Sequence, residues 1–302
     1  MKTELRAAEK KDFSGMIDFL EPFEFRAITL MSHVCAGGKP VFPSGGGSVQ
    51  SCMLLRQEQL AGILLLTSTG ILFHCLSDTL NRDEARHAVQ AWINRARIKC
   101  VLGAGSDTLW LEGFLPRAPF RAVDYQLMTM EAMPSPAACA VPDSLRSNPS
   151  LRFARATVED AERLLPLQEG YEKEEVIPPG DPFDRAVCLR NLQKSLDAQI
   201  INYYEESGTP IAKAGTNARG LHWDQLGGVF TDPRWRGRGL ARSLVARTAA
   251  EQIDLGRKTA LFVKTGNVPA GLVLRFRSGF RICRAPGYIG RFFYIKDKTS
   301  VG

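Results

Sequence analysis

The residues best spaced for chemistry in this 302-residue chain lie in one stretch, Val229-Phe-Thr-Asp-Pro-Arg-Trp-Arg-Gly-Arg-Gly-Leu-Ala241. Gly237 and Gly239 let the backbone approach a ligand with no Cβ in between, and Arg234, Arg236 and Arg238 add positive charge around them. Upstream, Leu226 to Thr231 is apolar and partly β-branched until Asp232-Pro233 breaks it. Downstream, Leu240, Leu244, Val245, Ala249 and Ile253 recur at helical spacing. The glycines therefore fall at a helix N-terminus, where free N–H groups and the helix dipole favour an anion such as a phosphate or pyrophosphate. An ordinary strand-to-helix turn with arginines on a solvated face is compatible with the same letters. Two familiar phosphate cradles do not fit. A dinucleotide fingerprint needs a small residue where Arg242 stands, and a Walker loop needs Gly-Lys-Ser/Thr after its last glycine.

Other reactive residue types are less organised. Seven cysteines, at 35, 52, 75, 100, 139, 188 and 283, are scattered without a C-x-x-C, and several sit in apolar runs such as Lys99-Cys-Val-Leu102. That usage indicates reduced, buried thiols of a cytoplasmic protein and no disulfide framework. Histidines 33, 74, 87 and 222 show no ligand spacing either, so no metal is expected. A formal charge of +7 favours anionic partners, among which CoA, RNA and acidic surfaces all qualify. The N-terminal Met-Lys-Thr-Glu-Leu-Arg lacks the apolar core of a signal peptide. The uncharged run between Glu58 and Asp78 is cut by Thr67-Ser-Thr-Gly70, which favours a strand hairpin over a membrane helix.

The elements that must position the glycine turn follow from periodicity and punctuation. Residues 3 to 34 read as mostly helical, 39–51 as a loop with Gly45-Gly-Gly47, and 51–66 and 70–76 as hairpin strands. A helix over 82–96, a strand over 98–103, a short helix over 107–115 and a strand over 122–130 complete the first half. Prolines at 134, 136, 142 and 149 mark an interdomain linker over 133–149. Beyond it come a strand from Leu151, a helix capped at Thr157, a second helix over 182–196, and strands near 199–206, 210–216 and 222–231. The turn's own helix runs from Arg238 to Leu255, stopped by Gly256. A strand over 258–265, a short helix over 268–278 and strands over 280–284 and 288–295 finish the chain. Both halves share the order strand pair, helix, strand, short helix, strand, which suggests a tandem pair of related domains.

Arg236-x-x-Gly239-x-Ala241 resembles the acyl-CoA signature R/Q-x-x-G-x-G/A of the GNAT superfamily of N-acetyltransferases, and Asn267-x-x-Ala270 running to Gly279-Phe280 resembles that superfamily's N-x-x-A…G-F tail with one extra residue. The resemblance covers the second half in detail and the first half in outline only, because Asp78-Thr-Leu-Asn-Arg-Asp83 stands where a first signature would fall. It implies an α/β (α+β) chain of tandem GNAT-like domains, each a mixed, mostly antiparallel twisted sheet flanked by helices. Residues 1–132 would be a degenerate domain without a CoA loop, and 150–302 the acyltransferase domain.

The same resemblance implies residue roles. The backbone of Val229, Phe230 and Thr231 would pair with pantetheine where the central strands splay. The amides of Arg236, Gly237, Arg238, Gly239, Leu240 and Ala241 would hold the pyrophosphate, and Asn267 would hydrogen-bond the pantetheine. Asp224 is the candidate base, with His222 as second candidate. The family's acid tyrosine is absent, since its region reads Leu274-Arg-Phe276, which leaves Tyr288 or Tyr294 as substitutes. Glu174 and Glu175 could attract an amine at the acceptor pocket. The expected activity is transfer of an acetyl or other acyl group from acetyl-CoA to a primary amine of a small molecule or peptide, with no metal, no membrane and no nucleic acid, in a possible homodimer. The alternatives are an aminoacyl-tRNA-dependent transferase, which suits the basic charge but has no need of a CoA loop, and a non-catalytic acyl-CoA sensor.

Overall fold

Apolar and β-branched runs dominate both halves of the chain, and they collect into one long sheet covered by helices on both faces. The computed structural model describes residues 3–40, 49–56, 58–115, 121–177, 180–267, 280–282 and 289–294. The first half runs β1 (Thr3–Ala7), α1 (Phe13–Leu20), α2 (Glu24–Val34), β2 (Cys35–Ala36), β3 (Lys39–Pro40), β4 (Val49–Arg56), β5 (Gln59–Thr67), β6 (Ile71–Leu76), α3 (Arg82–Ile93), β7 (Cys100–Ala104), α4 (Gly105–Glu112) and β8 (Arg121–Met130). After α5 (Pro136–Cys139), the second half runs β9 (Leu151–Arg155), α6 (Ala161–Tyr171), a π-helical turn at Glu172–Val176, α7 (Arg185–Ala198), β10 (Ile201–Glu206), β11 (Thr209–Arg219), β12 (Trp223–Thr231), α8 (Leu240–Asp254), β13 (Lys258–Lys264), β14 (Arg281–Ile282) and β15 (Ile289–Tyr294). Among the described residues no helix is long and apolar enough to cross a membrane.

Two expectations are corrected. The chain opens with a strand before its helices, because Thr3–Ala7 pairs antiparallel with β4, Thr3 opposite Arg56 and Ala7 opposite Cys52. The stretch 51–66 is two strands, β4 and β5, which reverse through Glu58 at φ 65 within a polar run that carries no Gly or Pro. The Gly45–Gly47 loop, the 268–278 helix and Cys283 lie outside the described residues.

The strand order is β1-β4-β5-β6-β7-β15-β8-β13-β12-β11-β10-β9, with β14 alongside β8. Pairing is antiparallel except at β6–β7 and β12–β13. The two halves exchange their closing strands. β8, from the first half, pairs with β13 of the second, Thr259 opposite Met130, and β15, from the second half, inserts between β7 and β8. The sheet is thus continuous across the Pro-rich segment.

That segment is docked on α8. The Ser135 side chain caps α5, the Cys139 carbonyl accepts from Ser243 Oγ at 3.1 Å and Arg247 Nε at 2.6 Å, and Leu145 is buried in the core beneath α8. The helices cover both faces of each half. In the first half, α1 and α2 pack around Met16 and Met31 on one face, while α3 packs around Val89 on the other. In the second half, α6 and α7 pack around Leu164 and Leu192, and α8 around Leu244.

A buried carboxylate pins the halves together. Glu24, at the start of α2, is fully buried and accepts from the His222 N–H at 3.0 Å and the Trp223 N–H at 3.2 Å. Burial pushes its carboxyl above the usual carboxylate range, partly offset by those two donors. Glu24→Ala strands both N–H groups in the interior, and we expect it to lower the stability read from urea unfolding by about 2–3 kcal/mol. An unchanged midpoint would show that water replaces the carboxylate.

Candidate functional site

The site begins where two strands part. The parallel pairing of β12 with β13 covers Trp223 opposite Lys258 through Leu226 opposite Leu261 and then stops. β13 continues along β8 as far as Lys264 opposite Tyr125, and β12 continues along β11 as far as Thr231 opposite Ala212. Gly227–Thr231 and Phe262–Lys264 therefore line the two sides of a cleft. The divergence starts at a bulge, a one-residue irregularity that bends a strand. Register on β11 shifts between Lys213 and Gly215, Gly228 takes φ 60, and a Cβ at Gly227 would fall 2.0 Å from the Asn217 side chain. Both positions thus require glycine.

The glycine turn lies beyond the open end of β12. Asp232 accepts from the Arg234 N–H at 2.9 Å and holds a single turn at Pro233–Trp235. Gly237 and Gly239 follow with φ 75 and 85, and Gly239 is the N-cap of α8 with no side chain to occupy the first N–H groups. The matching helix of the first half, α3, is capped by the Asn81 side chain, which accepts from the Asp83 N–H at 3.1 Å and the Glu84 N–H at 3.2 Å. One helix start can receive an anion, and the other serves itself.

The surrounding charges are tied. Arg234 is bidentate on Asp232, at 3.1 and 2.9 Å, and Arg238 lies 4.7 Å from the Trp235 ring centre. Arg236 lies over the Phe230 ring and donates to the Thr231 carbonyl at 3.0 Å and to both Glu174 oxygens, at 2.9 and 2.8 Å. Lys264, at the end of β13, pairs with the Glu175 carboxylate and donates to the Glu175 carbonyl at 3.1 Å. The π-helical turn therefore bridges the cleft mouth, with Glu174 on the β12 side and Glu175 on the β13 side. Beside it is a cavity of about 550 Å³, lined by Glu175, Lys264, Asn267, Val123 and Asp124 among others. The last two come from β8, so the first half walls the cavity.

Both expected bases stand away from this cleft. Asp224 is fully buried and bidentate with Arg257, at 2.7 and 2.8 Å, while Arg257 also donates to the Gly220 carbonyl at 3.0 Å. It lies three residues before Gly227, where the cleft opens, about 10 Å along an extended strand. Both Asp224 oxygens are held by Arg257 in the interior. His222 is at the same far end, its Nε2 3.0 Å from Glu21 of the first half. Tyr288 lies outside the described residues, and Tyr294 is on β15 between β7 and β8. Among the described residues no group of three or more His, Cys, Asp or Glu is placed to hold a metal ion.

One residue absent from the sequence reading stands at the bulge. Lys213 is 3% exposed, and its Nζ donates to the Gly228 carbonyl at 2.8 Å and lies 4.8 Å from the Tyr171 ring centre. Burial pushes its ammonium down to about 8, with Glu172 and Cys188 acting the other way. Its signal was a lone lysine inside the small apolar run Ile211-Ala-Lys-Ala-Gly215.

Residues 165–280 match the model of the acetyltransferase (GNAT) family. No curated protein matches the sequence. Among solved structures, a Drosophila protein is 14% identical with a TM-score of 0.65, covering 96% of this chain and 98% of its own. A tandem GNAT protein from the clavulanic acid biosynthesis pathway is 10% identical at 0.56, covering 98% and 100%. A GCN5-related N-acetyltransferase from Sphaerobacter thermophilus is 14% identical at 0.54, covering 96% and 94%. At such identities the likeness is one of fold, and it spans nearly the whole chain.

The placement of Asp224 is checked by Asp224→Asn. Breaking one side of a buried ion pair is expected to lower the stability read from urea unfolding by about 3 kcal/mol. An unchanged unfolding midpoint would show that the Asp224–Arg257 pair adds nothing to the fold.

Proposed function

We propose that this chain, whose residues 165–280 form a GNAT acetyltransferase domain, moves an acetyl or other acyl group from acyl-CoA to a primary amine by direct attack. The observation that carries this reading is the cleft between β12 and β13 opening beside an α8 N-terminus that no side chain caps. In this reading the amides of residues 236–241 take the pyrophosphate, with Arg236 and Arg238 beside them. The open edge of Val229–Thr231 pairs with the pantetheine arm, as a strand edge accepts an added strand, and Asn267 borders the cavity at its far side.

The acceptor amine enters beside the π-helical turn, where Glu174 and Glu175 lie across the cleft mouth. In the reaction the amine forms a C–N bond to the thioester carbon, the C–S bond breaks, and the proton the amine loses passes through solvent to the leaving CoA thiolate, which departs as the thiol. The self-capped α3 leaves the first half without an equivalent anion site and in the role of wall to the acceptor cavity.

A non-catalytic acyl-CoA sensor is the second reading, favoured by the locking of Asp224 against Arg257. Two measurements separate these outcomes. Isothermal titration with acetyl-CoA is expected to show binding in wild type and its loss, by at least about 100-fold, in Gly239→Trp, because the indole fills the anion site. Thiol release with acetyl-CoA over polyamines, aminoglycosides, amino acids and peptide N-termini is then expected to find turnover. Binding without turnover on any amine supports the sensor, and no binding sinks both readings.

A further inference from the structure

Arg236 holds two acceptors, and both border the cleft. Its Nε donates to the Thr231 carbonyl at 3.0 Å, and its Nη2 donates to the two Glu174 oxygens at 2.9 and 2.8 Å. The backbone fixes where the first bond lies. The Asp232 N–H donates to the Ile211 carbonyl of β11 at 2.8 Å, and across a trans peptide the C=O points opposite to that N–H. The Thr231 carbonyl therefore faces away from β11, on the side from which β13 has parted. The guanidinium lies across that open edge and is seated by packing. Its Cζ is 5.2 Å from the Phe230 ring centre, and that ring fits against Gly170 of α6, where a Cβ would fall 2.4 Å from it.

Glu174 comes from the π-helical turn, and the next residue, Glu175, pairs with Lys264 at the end of β13. Neighbouring carboxylates thus strap one turn to both sides of the cleft. The Arg236–Glu174 strap is a weak one, because its side chains are 45% and 46% exposed and water screens such a pair. We propose that Glu174 is a gate residue: it keeps Arg236 across the open edge of β12 until a ligand phosphate takes the guanidinium over, so a protein carboxylate and an incoming phosphate compete for one cation. The inference rests on the acyl-CoA reading above and adds a competitor that the chain itself supplies. The exchange uncovers the Thr231 carbonyl as the phosphate gains its charged donor. It also loosens the β12 side of the turn and leaves the Glu175–Lys264 pair in place.

Isothermal titration with acetyl-CoA tests the competition. Glu174→Ala is expected to bind about three- to fivefold more tightly than wild type, the worth of a well-formed exposed ion pair removed from the contest. Loss of a negative charge near an anion would tighten binding by itself, so the same substitution is also made beside Arg236→Met. There, with no guanidinium to release, Glu174→Ala is expected to change the affinity by less than about twofold. Equal tightening in both backgrounds, or no tightening in either, overturns the proposal and leaves the acyl-CoA reading standing. Wild type alone supplies a second measurement if the Arg236 variant binds too weakly or does not fold. The Arg236 Nε–H signal in a 15N-correlated NMR spectrum is expected to shift on adding acetyl-CoA, and an unmoved signal at saturation overturns the proposal. Failure of both wild type and Glu174→Ala to bind acetyl-CoA refutes the acyl-CoA reading itself, and this inference with it.

Discussion

The structure depends on a parallel strand pair that stops early. β12 and β13 stay together through Leu226 and Leu261 and then part, each held by a different outer neighbour. Continued pairing would have closed the sheet and left nothing for a ligand to enter. A small set of residues meets at the bulge where they part: Gly227 and Gly228, which give room and a positive φ, and Lys213, whose Nζ donates to the Gly228 carbonyl. The glycine turn, the α8 N-terminus and the acidic bridge of Glu174 and Glu175 are useful only because that opening exists.

The first half shows the same plan with the opening filled. β6 and β7 pair in parallel from Ile71 opposite Cys100 to Phe73 opposite Leu102. The next residue, His74, places its ring against Gly103, where a Cβ would fall 2.3 Å from it, and its Nε2 is 2.9 Å from Thr108 Oγ1. Burial pushes this imidazole down to about 4, so it stays neutral and packs as a core ring. Asn81 then satisfies the helix start that follows. One side chain fills the gap and one caps the helix start, so one half opens and the other stays closed.

Much of this was readable from the sequence because local chemistry determines it. The strand, the Asp232-Pro233 break, the positive-φ glycines and the helix of residues 240–254 follow from turn and capping rules that act within a few residues. The tandem element order and the absence of a glycine signature at Asp78–Asp83 were readable in the same way, but the Asn81 cap was not. Pairings across the chain were not. Asp224 has the residue type of a base, but Arg257 claims both oxygens, and the letters around Asp224 do not reveal that partner. His222 faces Glu21, some two hundred positions earlier in the chain. Lys213 is not legible in the sequence because a single charged letter in an apolar run has no periodicity, and its partners come from the bulge opposite. The Pro-rich segment has a linker's composition, yet Cys139 and Leu145 find partners on α8 that composition cannot indicate.

The strand exchange has a consequence for how the molecule comes into being. β15 lies between β7 and β8 although it follows them by more than 150 residues, and β8 lies beside β13. While the chain emerges from a ribosome, the first half can gather its helices and its outer strands, but β7 has no partner on one side until the final strand arrives. An unpaired strand edge is a template for wrong partners, so the nascent first half has an exposed seam for as long as the second half takes to be made. Formation of the shared sheet is therefore a late event with long loops to close. The cleft, whose β13 side rests on β8, reaches its final form only when both halves are present.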